Sequence, residues 1–433
     1  MIKKILFYIF LFLISGICNG QFTTKESPGI FDKNIVSVQL YPTGYPLKDA
    51  VLNLNSNNSL TLKFDDLNNS FLNYTYTIIH CSSNWEPSSL MKMDYIDGFF
   101  EGTISNYEFS FNTRTQYVHY TLNFPSDHMK PKLSGNYLLQ VYYIDNSGKK
   151  IVVFNKRFVV IEQLITVNAK VLLNPVNLAY SEKQQIEFNC ITGNNFNSEP
   201  LLRFKATVQQ NNRWDNALYN IKPTSANPSQ INFNYPNGIL FNGGNEPRFF
   251  DMKSFRYLAQ NIKEITPEKN KYFVVLHTSF PRTGLPYETY NNIHGKELIT
   301  ARPDQNPNTE GDYATVKFTL KIPQKSNNKD IYILGELSNW QYTDNNKLHY
   351  NQKKQMYEGS LFLKQGYYEY WYSVVTKENK VGTIVPIEGN HWQTNNNYSI
   401  YIYYHNRMPE YDRLVGYKKI NSQIDNISQI EMH

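Results

Sequence analysis

Residues 74–90 (YTYTIIHCSSNWEPSSL) show the pattern on which the chain is built. Tyr74, Tyr76 and Ile78 share one face of an extended segment, and Thr75, Thr77 and Ile79 share the other. A period of two predicts a half-buried strand. An aromatic, Pro-containing turn follows, and then YIDGFF at Tyr95–Phe100. Between residues 35 and 163 the same alternation recurs in IVSVQLY, SLTLKFDD, YEFSFN, VHYTLNF, NYLLQVYY and IVVFNKRFVVI. Asp65-Asp66, Pro125-Ser126, Ser134-Gly135-Asn136 and Asn146-Ser147-Gly148 supply turn chemistry between them. Short strands at this spacing predict a β-sandwich.

The pattern continues in a middle module, expected over 164–300, with ITVNAKVLL, QIEFNC, LRFKATVQQ, INFNY and KYFVVLH. Asn211-Asn212-Arg213-Trp214-Asp215 predicts a hairpin turn with an aromatic anchor. Asn242-Gly243-Gly244-Asn245-Glu246 predicts a tight turn whose glycines accept positive φ. FRYLAQNIKEI has mixed periodicity and is read as strand. Residues 301–312 (ARPDQNPNTEGD) are polar, hold two Pro, and read as a linker. A third module is expected over 313–405, with YATVKFTL, DIYILGEL, MYEGSLFL, YYEYWYSVV and YSIYIYYH. Residues 406–433 read as a polar tail ending in a short helix. The expected class is all-β, with tandem Ig-like β-sandwich modules and few helices. The chain shows no internal repeat and no low-complexity tract.

The length of 433 residues agrees with about three domains. A hydrophobic fraction of 41% supports real cores. Aromatics reach 15%, with 34 Tyr and 26 Phe, types that suit strands. Together with the many Asn, Ile and Lys, they also fit a simple nucleotide-composition bias. The net charge is +6. Without Lys3 and Lys4 of the first twenty residues it falls by two. No basic stripe or Arg-rich helix accompanies it, which argues against nucleic-acid binding.

Residues 1–20 read as a secretory signal. Lys3 and Lys4 precede the apolar run Ile5–Ile17, and Ser15, Gly16, Asn19 and Gly20 form a small, polar exit. Cleavage is expected after Gly20, leaving 21–34 as a leader. Ile17 directly before Cys18 fits a lipid-attachment site poorly. No other apolar stretch approaches membrane-spanning length, so an exported, soluble mature protein is expected. Only Cys81 and Cys190 remain after cleavage. They are assigned to different modules and read as buried thiols acting as small hydrophobes, although an exported pair has the option of bonding.

The chain carries no G-x-S-x-G, H-E-x-x-H or C-x-x-C. Gly148-Lys149-Lys150 and Gly295-Lys296 lack the upstream glycine of a phosphate loop and read as turn residues. His80 and Cys81 are neighbours on a strand, so they point to opposite faces and do not easily share a metal. Asp65-Asp66 reads as a source of turn hydrogen bonds. Nothing nominates these carboxylates, or Asp97, as a glycosidase pair. No catalytic, cofactor-binding or metal-binding residue is therefore assigned, no cofactor is called for, and partner-binding residues stay unassigned.

In the third module, Ile331–Trp340 (IYILGELSNW) followed by Gly366–Tyr370 (GYYEY) resembles the glycogen-binding, early-set immunoglobulin-like module. That resemblance implies either sugar stacking on Trp or Tyr or aromatics that fill a sandwich. It leaves a secreted or periplasmic glycan-binding protein as the alternative reading.

A wider resemblance runs through nearly the whole mature chain. Its carriers are VQLYPTGYPL (Val38–Leu47), LTLKFDDL (Leu60–Leu67), the block 74–90 with YIDGFF, YEFSFNT (Tyr107–Thr113) and LSGNYLLQVY (Leu133–Tyr142). They continue with RWDNA (Arg213–Ala217), GGNEPRFFD (Gly243–Asp251), TEGDYATVKFTL (Thr309–Leu320), LKQGYYEYWY (Leu363–Tyr372) and YDRLVG (Tyr411–Gly416). In order, these blocks resemble the type IX secretion system plug protein family of Bacteroidetes. Pro247 is one departure, and it bears on local hydrogen bonding in the turn. The resemblance implies a periplasmic, non-enzymatic protein that seals the periplasmic opening of a giant outer-membrane β-barrel translocon and does not itself insert into the membrane.

Overall fold

The computed structural model describes residues 27–173, 182–196, 199–378 and 381–424. The proposed signal and the helix expected at the end of the tail lie outside the described residues. The architecture is all-β, and the α-helices among the described residues, Lys92–Tyr95, Pro200–Arg203 and Val385–Glu388, are single turns.

The first module is a two-sheet sandwich. One sheet runs Ile35–Pro42, Leu60–Asp66, Val118–Phe124, Asn106–Phe109. The other runs Gly29–Ile30, Lys150–Ile161, Gly135–Ile144, Thr75–Cys81, Gly102–Thr103, with Val51–Asn53 parallel to Lys150–Ile161. Alternation decides what lies between them. Leu60, Leu62 and Phe64 point inward with Ile78, Leu139 and Phe158. Phe64 stacks on Tyr120 at 4.9 Å and meets Tyr74 edge-on at 5.2 Å. Part of the expected leader belongs here too, because Gly29 and Ile30 pair with Asn155 and Phe154.

The other modules do not follow the serial boundaries expected at 300 and 405. The middle module pairs Thr166–Leu173 and Lys183–Ile191 with Gln230–Asn232, Ser225–Ala226 and Ile239–Asn242 in one sheet. Its second sheet runs Arg213–Ile221, Phe204–Gln210, Asn397–Arg407, Glu410–Asn421. The segment YSIYIYYH and the first part of the supposed tail, to Asn421, thus lie in strands of the middle module. Conversely, Arg248–Asp251, Ile262–Pro267, Tyr272–Leu276 and Glu297–Ile299 join the nine-stranded sheet of the third module. That sheet folds back on itself, since Phe318 of Tyr313–Leu320 meets Tyr370 of Gly366–Thr376 at 5.2 Å. Alternation identifies a strand but carries no information about its neighbour, which is why serial order misplaces these.

Local turn chemistry follows the residues. Asn211 and Asn212 both adopt positive φ (49° and 62°) in the hairpin before Arg213. Gly244 has φ +69°, and a side chain on Gly243 would collide with the His391 carbonyl. In FRYLAQNIKEI only Ile262 onward is strand. Phe255 instead stacks on Tyr272 at 4.1 Å.

Candidate functional site

The residues with unusual chemistry gather at the junctions between modules. The strand Leu60–Asp66 shows how. Its even positions fill the first core, and its odd positions Lys63 and Asp65 face the third module. Asp65 is fully buried. Its carboxylate accepts from Lys364 Nζ at 2.6 Å and Tyr313 OH at 2.7 Å, and lies 2.5 Å from His119 Nδ1. Burial alone would push its pKa up. The Lys364 ammonium and His119 outweigh that and hold it below the ordinary carboxylate range. Asp66, one residue on, makes the expected turn bond from Asn68 N and also accepts from Tyr74 OH. The turn reading of the pair therefore holds for Asp66 and fails for Asp65. The linker takes part as well: Asp312 accepts from the amides of Arg114 and Thr115, and Tyr117 OH donates to Gly311 O.

The first and middle modules share the strand Asn397–Arg407. Tyr398, Ile400, Ile402 and Tyr404 lie in the middle core. Tyr401 and Tyr403 point the other way, onto Cys81, Trp85, Leu138 and Val159 of the first module. Tyr403 OH donates to Asn136 Oδ1 at 2.8 Å, and Ser83 N donates to Asp412 Oδ2 at 2.9 Å. The turn in CSSNWEPSSL places Trp85 in this junction. Trp85 takes φ +68°, with its backbone N–H donating to Ser82 O. A bulky residue in the left-handed region is strained, and here its neighbours fix it.

All three modules meet at Asp49. Its carboxylate accepts from Lys296 Nζ of the third module at 2.7 Å, and from Lys419 Nζ and Asn212 Nδ2 of the middle module at 2.6 and 2.8 Å. Lys296 also donates to Leu47 O. The turn reading of Gly295-Lys296 misses this role. Gly295 does adopt φ +76°, but Lys296 is a buried ion-pair partner. Beside this point, a cleft of about 130 Å³ opens between the modules, lined by Trp85, Arg157, Trp214 and Trp340 among others. Burial, with Glu336 nearby, pushes the Glu297 carboxyl up to about 8.

The other singled-out residues are structural. His80 is buried, with Nδ1 2.9 Å from Ser88 Oγ, and burial pulls its pKa down to about 4. Cys81 and Cys190 are both buried and are not joined in a disulfide. Tyr368, Tyr370 and Trp371 lie in the core, and Trp371 Nε1 donates to Asn245 O. Trp340 packs on Trp371 at 6.1 Å, and Tyr367 stacks on Phe249 at 5.7 Å. Pro247 keeps its carbonyl satisfied by Tyr290 OH. Among the described residues no group of His, Cys, Asp and Glu is arranged to hold a metal, and no helix is long and apolar enough to cross a membrane.

Outward, the sheet edge Asn106–Phe109 is exposed at every position. Phe109 and Phe111 are 54% and 71% exposed, and Phe71 lies 4.5 Å from the Tyr107 ring. Among the described residues no strand pairs with the outer side of this edge. Aromatic area beside unpaired backbone groups suits a protein partner.

Comparison with known proteins finds a family model and solved structures that match. The family model described as "Type 9 secretion system plug protein 1st domain" matches residues 35–162. The crystal structure of a hypothetical protein from Parabacteroides merdae ATCC 43184 superposes with a TM-score of 0.87 at 32% identity, covering 91% of this chain and 98% of that one. No curated protein matches.

Proposed function

The chain belongs to the type IX secretion system plug protein family, and from that premise we propose that it is a periplasmic plug. It reversibly seals the periplasmic opening of the large outer-membrane β-barrel through which type IX substrates leave, by protein–protein binding and without catalysis. A cleaved signal delivers it to the periplasm, and it associates peripherally with the translocon.

The observation that carries this reading is the locking of three sandwiches into one body. Asp49 and Asp65 join modules through buried ion pairs, and the strand Asn397–Arg407 serves two cores at once. A stopper for a wide pore must resist deformation, and dense interiors with shared strands resist it. Removal requires an interface of ordinary size, about 1,600 Å² or somewhat more. We assign the aromatic edge at Tyr107, Phe109 and Phe111 to the contact with the barrel, since aromatics are enriched in such interfaces.

The test is affinity purification from solubilised outer membranes, paired with gene deletion. The barrel is expected to co-purify, and deletion to raise permeability to large antibiotics while the barrel is present. Unchanged permeability with no barrel recovered would refute the plug.

A further inference from the structure

Two residues that line the cleft between the modules each bury a hydrogen-bond donor that has no acceptor among the described residues. Arg157 Nε and Trp85 Nε1 are both buried without a hydrogen-bond partner, and both residues line the cleft. Burying such donors without a partner is costly, and native structures usually supply a protein group, an ordered water or an ion. The Arg157 guanidinium is centred 5.0 Å from the Trp85 ring and 5.4 Å from the Trp214 ring. Those two indoles meet edge-on at 4.8 Å and form an apolar corner behind it. Asp215, the carboxylate whose field reaches Arg157, is already held by Arg213 at 2.7 Å and Tyr342 at 2.8 Å.

The charge of the lining points the same way. Lys48, Lys156, Arg157 and Lys296 face Asp49 and Glu336. Asp49 is spoken for by Lys296 and Lys419, and Glu336 accepts from Glu297 N. The surplus is cationic. The opening coincides with an interruption in the sheet edge: Lys150–Ile161 is paired by Gly29–Ile30 at residues 154 and 155 and by Val51–Asn53 from residue 159 onward. The cleft volume of about 130 Å³ is several times the ~10–15 Å³ that one water needs, enough for one compact ion.

We propose that this cleft binds a small oxyanion, a carboxylate or phosphate group, with the Arg157 guanidinium and the Trp85 indole N–H as its donors. A guanidinium offers a fixed fork to such a group, and an indole N–H is a donor without an acceptor function of its own. Because the cleft is lined by all three modules, the bound ion joins them. The inference goes beyond the plug reading and is tested on purified protein, so either can fail alone.

Acetate, phosphate and sulfate are titrated against chloride at matched ionic strength, by tryptophan fluorescence and calorimetry. At least one oxyanion is expected to saturate with Kd near or below about 1 mM. Preference for acetate identifies a carboxylate site, and preference for phosphate or sulfate a tetrahedral one. Arg157→Met keeps the aliphatic stem and is expected to weaken binding about tenfold or more. Trp85→Phe keeps a ring but removes the N–H, and weakens binding even if Arg157→Met fails to fold. Lys149→Met, an exposed charge outside the cleft, leaves binding unchanged. If no oxyanion saturates, or if Trp85→Phe and a folded Arg157→Met both bind like the wild type, the proposal is overturned.

Discussion

Lys364 Nζ lies 2.6 Å from Asp65 Oδ2, across 299 positions of chain, with both side chains 1% exposed. This pair welds the third module to the first. Removing one partner from such a pair strands a charge in a dry interior, so Lys364→Met is expected to cost about 3–5 kcal/mol. Urea unfolding checks the figure. Asp65→Leu combined with Lys364→Met removes both charges and recovers part of the loss, because the desolvation penalty disappears with them. A single mutant within 1 kcal/mol of wild type (about the surface-substitution range) would show that the pair does not hold the junction.

Asp49 provides a pH test. Burial raises its pKa, but Lys296 and Lys419 prevail and hold it far below the ordinary carboxylate value. An unfolded Asp titrates near pH 3.9. The stabilisation is therefore complete above that value and drains away as the pH falls below it. Asp49→Asn is expected to lower unfolding free energy by about 2–4 kcal/mol at neutral pH, and the difference from wild type shrinks below about pH 4. A gap that stays constant down to pH 3 (below the unfolded value) would contradict the sign argument.

How much of this was legible depended on what each signal encodes. Alternation located the strands of four or more residues in the first module, because one buried face per strand imposes a period of two, and missed two- and three-residue strands such as Val51–Asn53 and Met129–Pro131. It failed to place YSIYIYYH, whose Tyr398–Tyr403 stretch is buried throughout. The near-continuous apolar run was itself the signal for a strand covered on both faces. Lys364, at the end of LFLK, reads as a polar strand terminus, and only the fold brings it to Asp65. Lys296 and Asp49 were hidden for the same reason: an ion pair between distant segments leaves no local pattern. Arg157 sits in a polar pair within IVVFNKRFVVI, indistinguishable there from a solvated face.

His80 sets a second pH dependence. Burial lowers its pKa from 6.5 to about 4, so between those values the unfolded chain binds a proton that the folded protein does not. Stability therefore falls as the pH drops from 6.5 toward 4, by about 3 kcal/mol in all. His294, also lowered to about 4 by burial and by Lys419, contributes in the same direction. His80→Gln is expected to remove about one proton from the slope of unfolding free energy against pH in this window. Chemical unfolding at a series of pH values reads that slope directly, and an unaltered slope would show that His80 is not held neutral.

The last prediction separates binding from folding. Phe109 and Phe111 are exposed, and among the described residues Asn106–Phe109 pairs only on its inner side, with Val118–Thr121. Substitutions at such positions usually change stability by no more than about 0.5 kcal/mol. Phe109→Ser with Phe111→Ser is therefore expected to leave the melting curve nearly unmoved. Truncating aromatic anchors at the centre of an interface costs about 2 kcal/mol or more of binding, so recovery of the barrel is expected to fall about tenfold or more. Pull-down from solubilised outer membranes, alongside thermal unfolding of the purified variant, measures the two effects separately. Undiminished recovery with a folded double mutant would move the contact to another face, whereas lost recovery with an intact fold places it on this edge.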